Sequence, residues 1–160
     1  MTRPQKMLLF AGSLGPLGHL PASGTVTVAV VGLPLFWLCD AVRWELFVVG
    51  TVAFTAAAVW LHGAGDRILG EKDSRRLVWD ELAGFFVAIA FVPFTWQLAV
   101  IALLLERGLD ITKFPPAKWI EDHWPGGYGI VGDDIVAGLY TCAILHALIH
   151  YLPAWFGVAQ

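Results

Sequence analysis

Charge is scarce in this chain. Asp, Glu, Lys and Arg together make up 14% of its 160 residues, where a soluble globular protein carries about 25%. That shortage leaves no basic run, and with no aromatic ladder either, nothing reads as a nucleic-acid surface. The net charge of −3 selects no partner. Cysteine is nearly absent. Cys39 and Cys142 stand alone, form no C-x-x-C and exclude a disulfide framework. The serine-hydrolase elbow, the Walker loop and the dinucleotide fingerprint are all missing. No repeat or low-complexity linker divides the chain, and its length fits one domain, 1–160.

What is present is apolar. Hydrophobic residues make up 58% of the chain and mean hydropathy is +0.68. Four stretches carry no charge: 7–39, 46–65, 82–105 and 135–160. A membrane span needs roughly 20 mostly apolar residues. The expectation is an all-α, compact bundle of about five to six helices, embedded in a membrane and bearing its site on one polar face. The competing reading is a small soluble bundle with a greasy core. Arg3 and Lys6 ahead of an apolar stretch loosely resemble a signal peptide. However, Gly12, Gly15, Pro16, Gly18, Pro21 and Gly24 crowd that stretch, so it is read as retained, with 12–24 a Gly/Pro-rich loop.

Helices are expected over 26–39 (capped by Thr25 or Thr27 and bent by Pro34), 45–62, 74–92, 95–107 and 133–151. A single helical turn is expected near 117–122. Pro93 decides the topology. If it turns a hairpin, Asp80, Glu81 and Asp110 share one face. Arg3, Lys6, Arg67, Lys72, Arg75, Arg76, Arg107, Lys113 and Lys118 then fall on that face, with only Arg43 opposite. Lys and Arg accumulate on the cytoplasmic side, so the polar face is expected to be cytoplasmic. The hairpin arms are short for full spans, implying a thinned bilayer or burial within the bundle. The last helix crosses and leaves Trp155 at the outer interface. The eight tryptophans are read as interface anchors.

The acids stand where these helices begin. Asp80-Glu81 and Asp133-Asp134 are adjacent pairs, each opening a long uncharged run. Three loops, 12–25, 63–81 and 106–134, bring Asp73, Asp80, Glu81, Asp110, Asp133 and Asp134 together with Arg107 and Lys113. Any one of these acids alone reads as a solvated helix cap. As a group of hard oxygen donors they suit magnesium. Magnesium beside cations suits a phosphate, because both neutralise phosphoryl oxygens. The helix starts expected at both pairs would add positive dipole ends. Gly126-Gly127-Tyr128-Gly129 could present backbone N–H groups to an anion, although an ordinary turn reads the same way. His146 and His150 are read as packing residues. His19, His62 and His123 lie nearer the polar face, and His123 is the general-acid candidate.

These residues carry a resemblance. The string from Gly126 to Gly138, with Gly127, Gly129, Ile130, Asp133, Asp134 and Ala137, resembles the G-G-x-G-I-x-x-D-D-x-x-A-G signature of the phosphatidylglycerophosphatase A family. Val78, Asp80, Glu81 and Gly84 are similar to its V-x-D-E-x-x-G. Arg107, Asp110 and Lys113 are similar to its R-x-x-D-x-x-K. Gly70 and Asp73 fit the stretch before the V-x-D-E, and order and spacing agree over about residues 12–150. Two segments differ: Leu20 to Thr27 lacks the family's proline before Gly24, and Thr112 to Pro116 lacks its tryptophans.

The resemblance implies a magnesium-dependent lipid phosphatase that converts phosphatidylglycerophosphate to phosphatidylglycerol and phosphate. It would work at the lipid bilayer of a bacterial inner membrane, with its site facing the cytoplasm. Carried over by position, Asp80, Glu81, Asp110 and Asp134 are the catalytic acids, and Asp80, Glu81, Asp133 and Asp134 the metal ligands. Thr25, Arg107 and Lys113 contact substrate. Two routes stay open: a carboxylate activates water for in-line attack, or attacks directly to form an acyl phosphate. Two other readings also stand: a non-catalytic membrane protein on the same scaffold, and a phosphatase for another phosphorylated lipid.

Overall fold

The computed structural model describes residues 1–158, so the last two positions of the single-domain reading lie outside the described residues. Among the described residues there are seven α-helices and no strand. We label them α1 (Arg3–Gly12), α2 (Ser23–Cys39), α3 (Trp44–Leu69), α4 (Trp79–Ala88), α5 (Trp96–Thr112), α6 (Ala117–His123) and α7 (Gly127–Tyr151). The count exceeds the expected five to six because α1 and α6 are full helices. A capping box starts α1: the Thr2 N–H donates to Gln5 Oε1 at 2.7 Å, and Pro4 occupies the first turn.

Each helix has a local cause. Pro34 cannot donate to the carbonyl four residues back and crowds it. The chain answers with a π-helical stretch at Val28–Gly32, so α2 passes its proline without breaking. Thr95 caps α5 by accepting the Leu98 N–H at 3.2 Å. Gly70, at φ +72°, ends α3 in the left-handed region open to glycine.

Pro93 does turn a hairpin. The Phe94 N–H donates to Asp40 Oδ1 at 2.8 Å, tying the hairpin tip to the α2–α3 turn, beside Arg43. Asp80 at the start of α4 and Asp110 near the end of α5 therefore lie at the opposite pole, together. The α4 arm has only 10 residues, about 15 Å of helix, and it stops well short of a bilayer's ~30 Å hydrocarbon core. It is buried inside the bundle against α7. Two helices, α3 and α7, are long and apolar enough to cross a membrane. Of the apolar stretch of α3 only 17% is buried, and Leu46, Val49, Val52 and Trp60 point outward. An unbroken outward apolar face of this kind marks a surface for lipid or a partner.

Helix bounds differ from those expected: 74–92 is helical only over Trp79–Ala88, and 45–62 runs on to Leu69. The last helix starts at Gly127 rather than Asp133, because Gly127 lets the chain lie against the backbone of α3 at Val59. Asp133 and Asp134 thus sit about two turns in, beyond the short reach of the helix dipole. Only Asp80 and Glu81 occupy a first turn. Helix α5 continues past Arg107 to Thr112, so Arg107 and Asp110 are on a helix rather than a loop.

Candidate active site

The polar pole is a cleft of ≈ 730 Å³ whose walls include Thr25, Asp80, Glu81, Arg107, Asp110, Lys113, Asp133 and Asp134. Every acid and cation expected at the site therefore faces one space, while the general-acid candidate His123 does not. Asp73 and the exposed Arg75 and Arg76 stand at its rim with His19. His123 is elsewhere: it stacks on Trp119 at 4.8 Å and its Nδ1 lies 2.9 Å from the Trp119 carbonyl.

Close helix packing builds the floor. A Cβ on Gly84 would meet the Asp134 carbonyl at 2.6 Å, and one on Gly138 would meet the carbonyl of Gly84. These two glycines let α4 and α7 touch backbone to backbone, which sets Asp80-Glu81 beside Asp133-Asp134. Gly24 does the same for the first turn of α2: a Cβ there would collide with Glu81 Oε1 and come within 2.9 Å of Arg107 Nη1.

Arg107 is the hub. Its Nε and Nη2 donate to the two oxygens of Glu106, both at 2.6 Å. Nη2 also reaches Asp134 Oδ1 at 3.0 Å, while Nη1 lies 3.3 Å from Asp110 Oδ2 and 4.0 Å from Glu81 Oε1. Lys113 closes α5 in a left-handed turn, φ +48°, a conformation that β-carbons disfavour. From there its Nζ donates to Asp133 Oδ2 at 2.7 Å and pairs with Glu121 Oε2 at 2.8 Å. Burial alone would lower the Lys113 pKa, but the hydrogen bonds to Asp133 and Glu121 outweigh it and hold the ammonium charged.

Asp80 and Glu81 are pushed the other way. Burial raises Asp80 to about 7, against which its bond from Glu81 works, and raises Glu81 well above the carboxylate range with the Asp80 charge adding to it. Asp80 Oδ1 accepts the Glu81 N–H at 3.0 Å and lies 3.2 Å from Nε2 of the fully buried His62. Glu81 Oε2 is buried with no partner.

The donor set fits a hard cation. On the floor, Asp80, Glu81, Asp110, Asp133 and Asp134 face two cations, Arg107 and Lys113. Among the described residues no three acid or histidine side chains converge on one coordinating point. Magnesium does not require such a cage, since it is commonly held by one or two carboxylates, waters and the substrate's own phosphate. The unpartnered Glu81 oxygen and the surplus of carboxylates are what such an ion would satisfy.

Glu106 and Glu121 are contacts that the sequence reading missed, and His62, placed only near the polar face, lies against Asp80. Glu106 and Arg107 are neighbours on a helix, where adjacent side chains point apart. Glu121 sits beside Asp122 on a short helix, a pair that opens no long apolar run. The one available signal was a carboxylate, Glu106, ending the uncharged run 82–105.

These features define a class: an all-helical, membrane-type protein with a carboxylate floor and an arginine edge suited to a phosphorylated substrate. Comparison with known proteins narrows it. The family model "Phosphatidylglycerophosphatase A" matches residues 10–149, and the chain belongs to that family, a family of phosphomonoester hydrolases. It is 28% identical to the phosphatidylglycerophosphatase A of Escherichia coli (strain K12), over 96% of this chain and 88% of that protein. It is also 28% identical to that of Haemophilus influenzae, over 91% and 89%. A third relative, named "Putative phosphatidylinositol-3-phosphatase", from Bacteroides thetaiotaomicron, is 29% identical over 91% and 95%. No solved structure matches the chain.

Proposed function

We propose that this protein is a magnesium-dependent phosphatase that hydrolyses phosphatidylglycerophosphate to phosphatidylglycerol and inorganic phosphate. Its place would be the inner membrane of a bacterium, with the cleft facing the cytoplasm. The observation that carries the reading is the convergence of Asp80, Glu81, Asp110, Asp133, Asp134, Arg107 and Lys113 on one cleft at the polar pole of an apolar bundle. Lys and Arg gather at that pole, which supports a cytoplasmic orientation.

Asp80, Glu81, Asp133 and Asp134 would hold the magnesium ion. When bound, it supplies charge neutralisation at the phosphoryl oxygens. Arg107 offers Nη1 to the same group, and Thr25 faces it from the first turn of α2. Asp110, 3.3 Å from Nη1, is placed either to take a proton from an attacking water or to attack phosphorus itself. Acyl chains stay in lipid along the apolar flanks while the headgroup enters the cleft.

A second reading changes only the lipid. The Thr112 to Pro116 segment departs from the family pattern, and one relative is named for a phosphatidylinositol phosphate. Phosphate release from phosphatidylglycerophosphate, phosphatidic acid and phosphatidylinositol 3-phosphate, measured side by side in detergent with magnesium, separates the two. Preference for phosphatidylglycerophosphate is expected. Preference for either other lipid would reassign the substrate, and no release from any would contradict the enzyme reading.

A further inference from the structure

Glu106 is a carboxylate in the wrong place for solubility. It is fully buried, in the middle of the bundle, between α4, α5 and α7. A slot is cut for it: a Cβ on Gly84 would sit 2.9 Å from Glu106 Oε1 and 2.6 Å from the Asp134 carbonyl. Both of its oxygens are taken by Arg107, through Nε and Nη2 at 2.6 Å each. Buried ion pairs add little net stability, because desolvation offsets the attraction. In apolar surroundings they usually serve function.

The geometry of the pair says what it does. Side chains adjacent on a helix diverge by about 100°, so Arg107 must fold back on its own neighbour to make this fork. In doing so it commits one edge of the guanidinium, Nε and Nη2, to Glu106 and Asp134. The remaining nitrogen, Nη1, is left pointing to Asp110 and to Glu81 at the cleft. We propose that Glu106 is a positioning residue: it clamps the inner edge of Arg107 so that Nη1 is presented to the phosphoryl group of the substrate. This rests on the reading of Arg107 as a phosphate contact. Lysine could not substitute for Arg107, since it has no second edge to clamp.

The test uses the full chain in detergent, with Glu106→Gln, Arg107→Lys and the double variant. Inorganic phosphate is the probe, its binding followed by calorimetry, and the arginine Nε–H signal is read by 15N NMR. Glu106→Gln is expected to weaken phosphate binding by about 10–100-fold, the scale of a misplaced group. It should also remove the protected Nε–H signal of Arg107 while the helical circular dichroism is unchanged. In the Arg107→Lys background it should add no further loss, because Glu106 acts through Arg107. Unchanged phosphate binding in Glu106→Gln would overturn the proposal, as would an equal additional loss in the double variant. If Glu106→Gln does not fold, Glu106→Asp keeps the charge on a shorter arm, with a smaller loss of the same kind expected and wild-type binding overturning the proposal. A wild type that neither binds nor releases phosphate would instead defeat the phosphatase reading. The Nε–H signal would still decide the clamp: protection lost in Glu106→Gln supports it, and an unprotected wild type refutes it.

Discussion

Asp134 touches both halves of the proposed chemistry, standing among the acids and accepting from Arg107 at 3.0 Å. Asp134→Asn keeps the shape and removes the charge. Turnover should fall by at least ~100-fold, as when one charge-stabilising group is lost, with the helical circular dichroism spectrum preserved; activity near wild type would remove Asp134 from the site. Gly24→Ala is a sharper probe, because its added methyl collides with Glu81 and crowds Arg107. It should abolish phosphate release while lowering stability by only about 1–3 kcal/mol. Asp80 yields a pH prediction. Its folded pKa, about 7, lies above the ordinary aspartate value of 3.8. Between those values the native state binds more protons than the unfolded one, so stability contributed by this group is full at low pH and is lost as pH rises toward 7. In EDTA the melting temperature should fall across that window, and Asp80→Asn should flatten the fall. The acids themselves were legible in the sequence because they interrupt long uncharged runs at motif spacing. Their partners Glu106 and Glu121 were not, and His62 was placed only near the polar face, because what brings them in is helix packing, which no local pattern records.

At the level of elements, the α4–α7 contact matters most. It depends on two positions without side chains, Gly84 and Gly138, where the backbones meet. Gly138→Ala would wedge α7 away from α4, since its methyl would run into the Gly84 carbonyl. A loss of about 1–3 kcal/mol is expected, the usual scale of overpacking, read as a lower thermal midpoint together with reduced activity. A wild-type midpoint would mean that the two helices are not held this close. The hairpin was readable from Pro93 and from charge bias. Helix ends were less so: α7 begins at Gly127 within a glycine-rich stretch that reads as a turn, and α5 runs on through Arg107. In both cases tertiary packing overrides local signals. The capping box of α1 was in plain view at Thr2 and Gln5, but the stretch was weighed only as a signal peptide and no helix was placed there.

The whole molecule is a bundle with an apolar girdle and one acidic, arginine-edged pole. Trp37, Trp44, Trp60, Trp96 and Trp155 are all exposed, as are Leu46, Val49 and Val52 on α3. Side chains of that kind form a surface for lipid or a partner. The composition announced this, and the acid pairs announced the pole. The functional claim joins the two: a phosphate held in the cleft while acyl chains remain in the bilayer. The most direct measurement is phosphate release from phosphatidylglycerophosphate by the purified protein in detergent, with magnesium and with EDTA, for wild type and Asp134→Asn. The account predicts release with magnesium, none with EDTA, restoration when magnesium is added back, and none from Asp134→Asn under any condition. Release that persists in EDTA, or in Asp134→Asn, would contradict it.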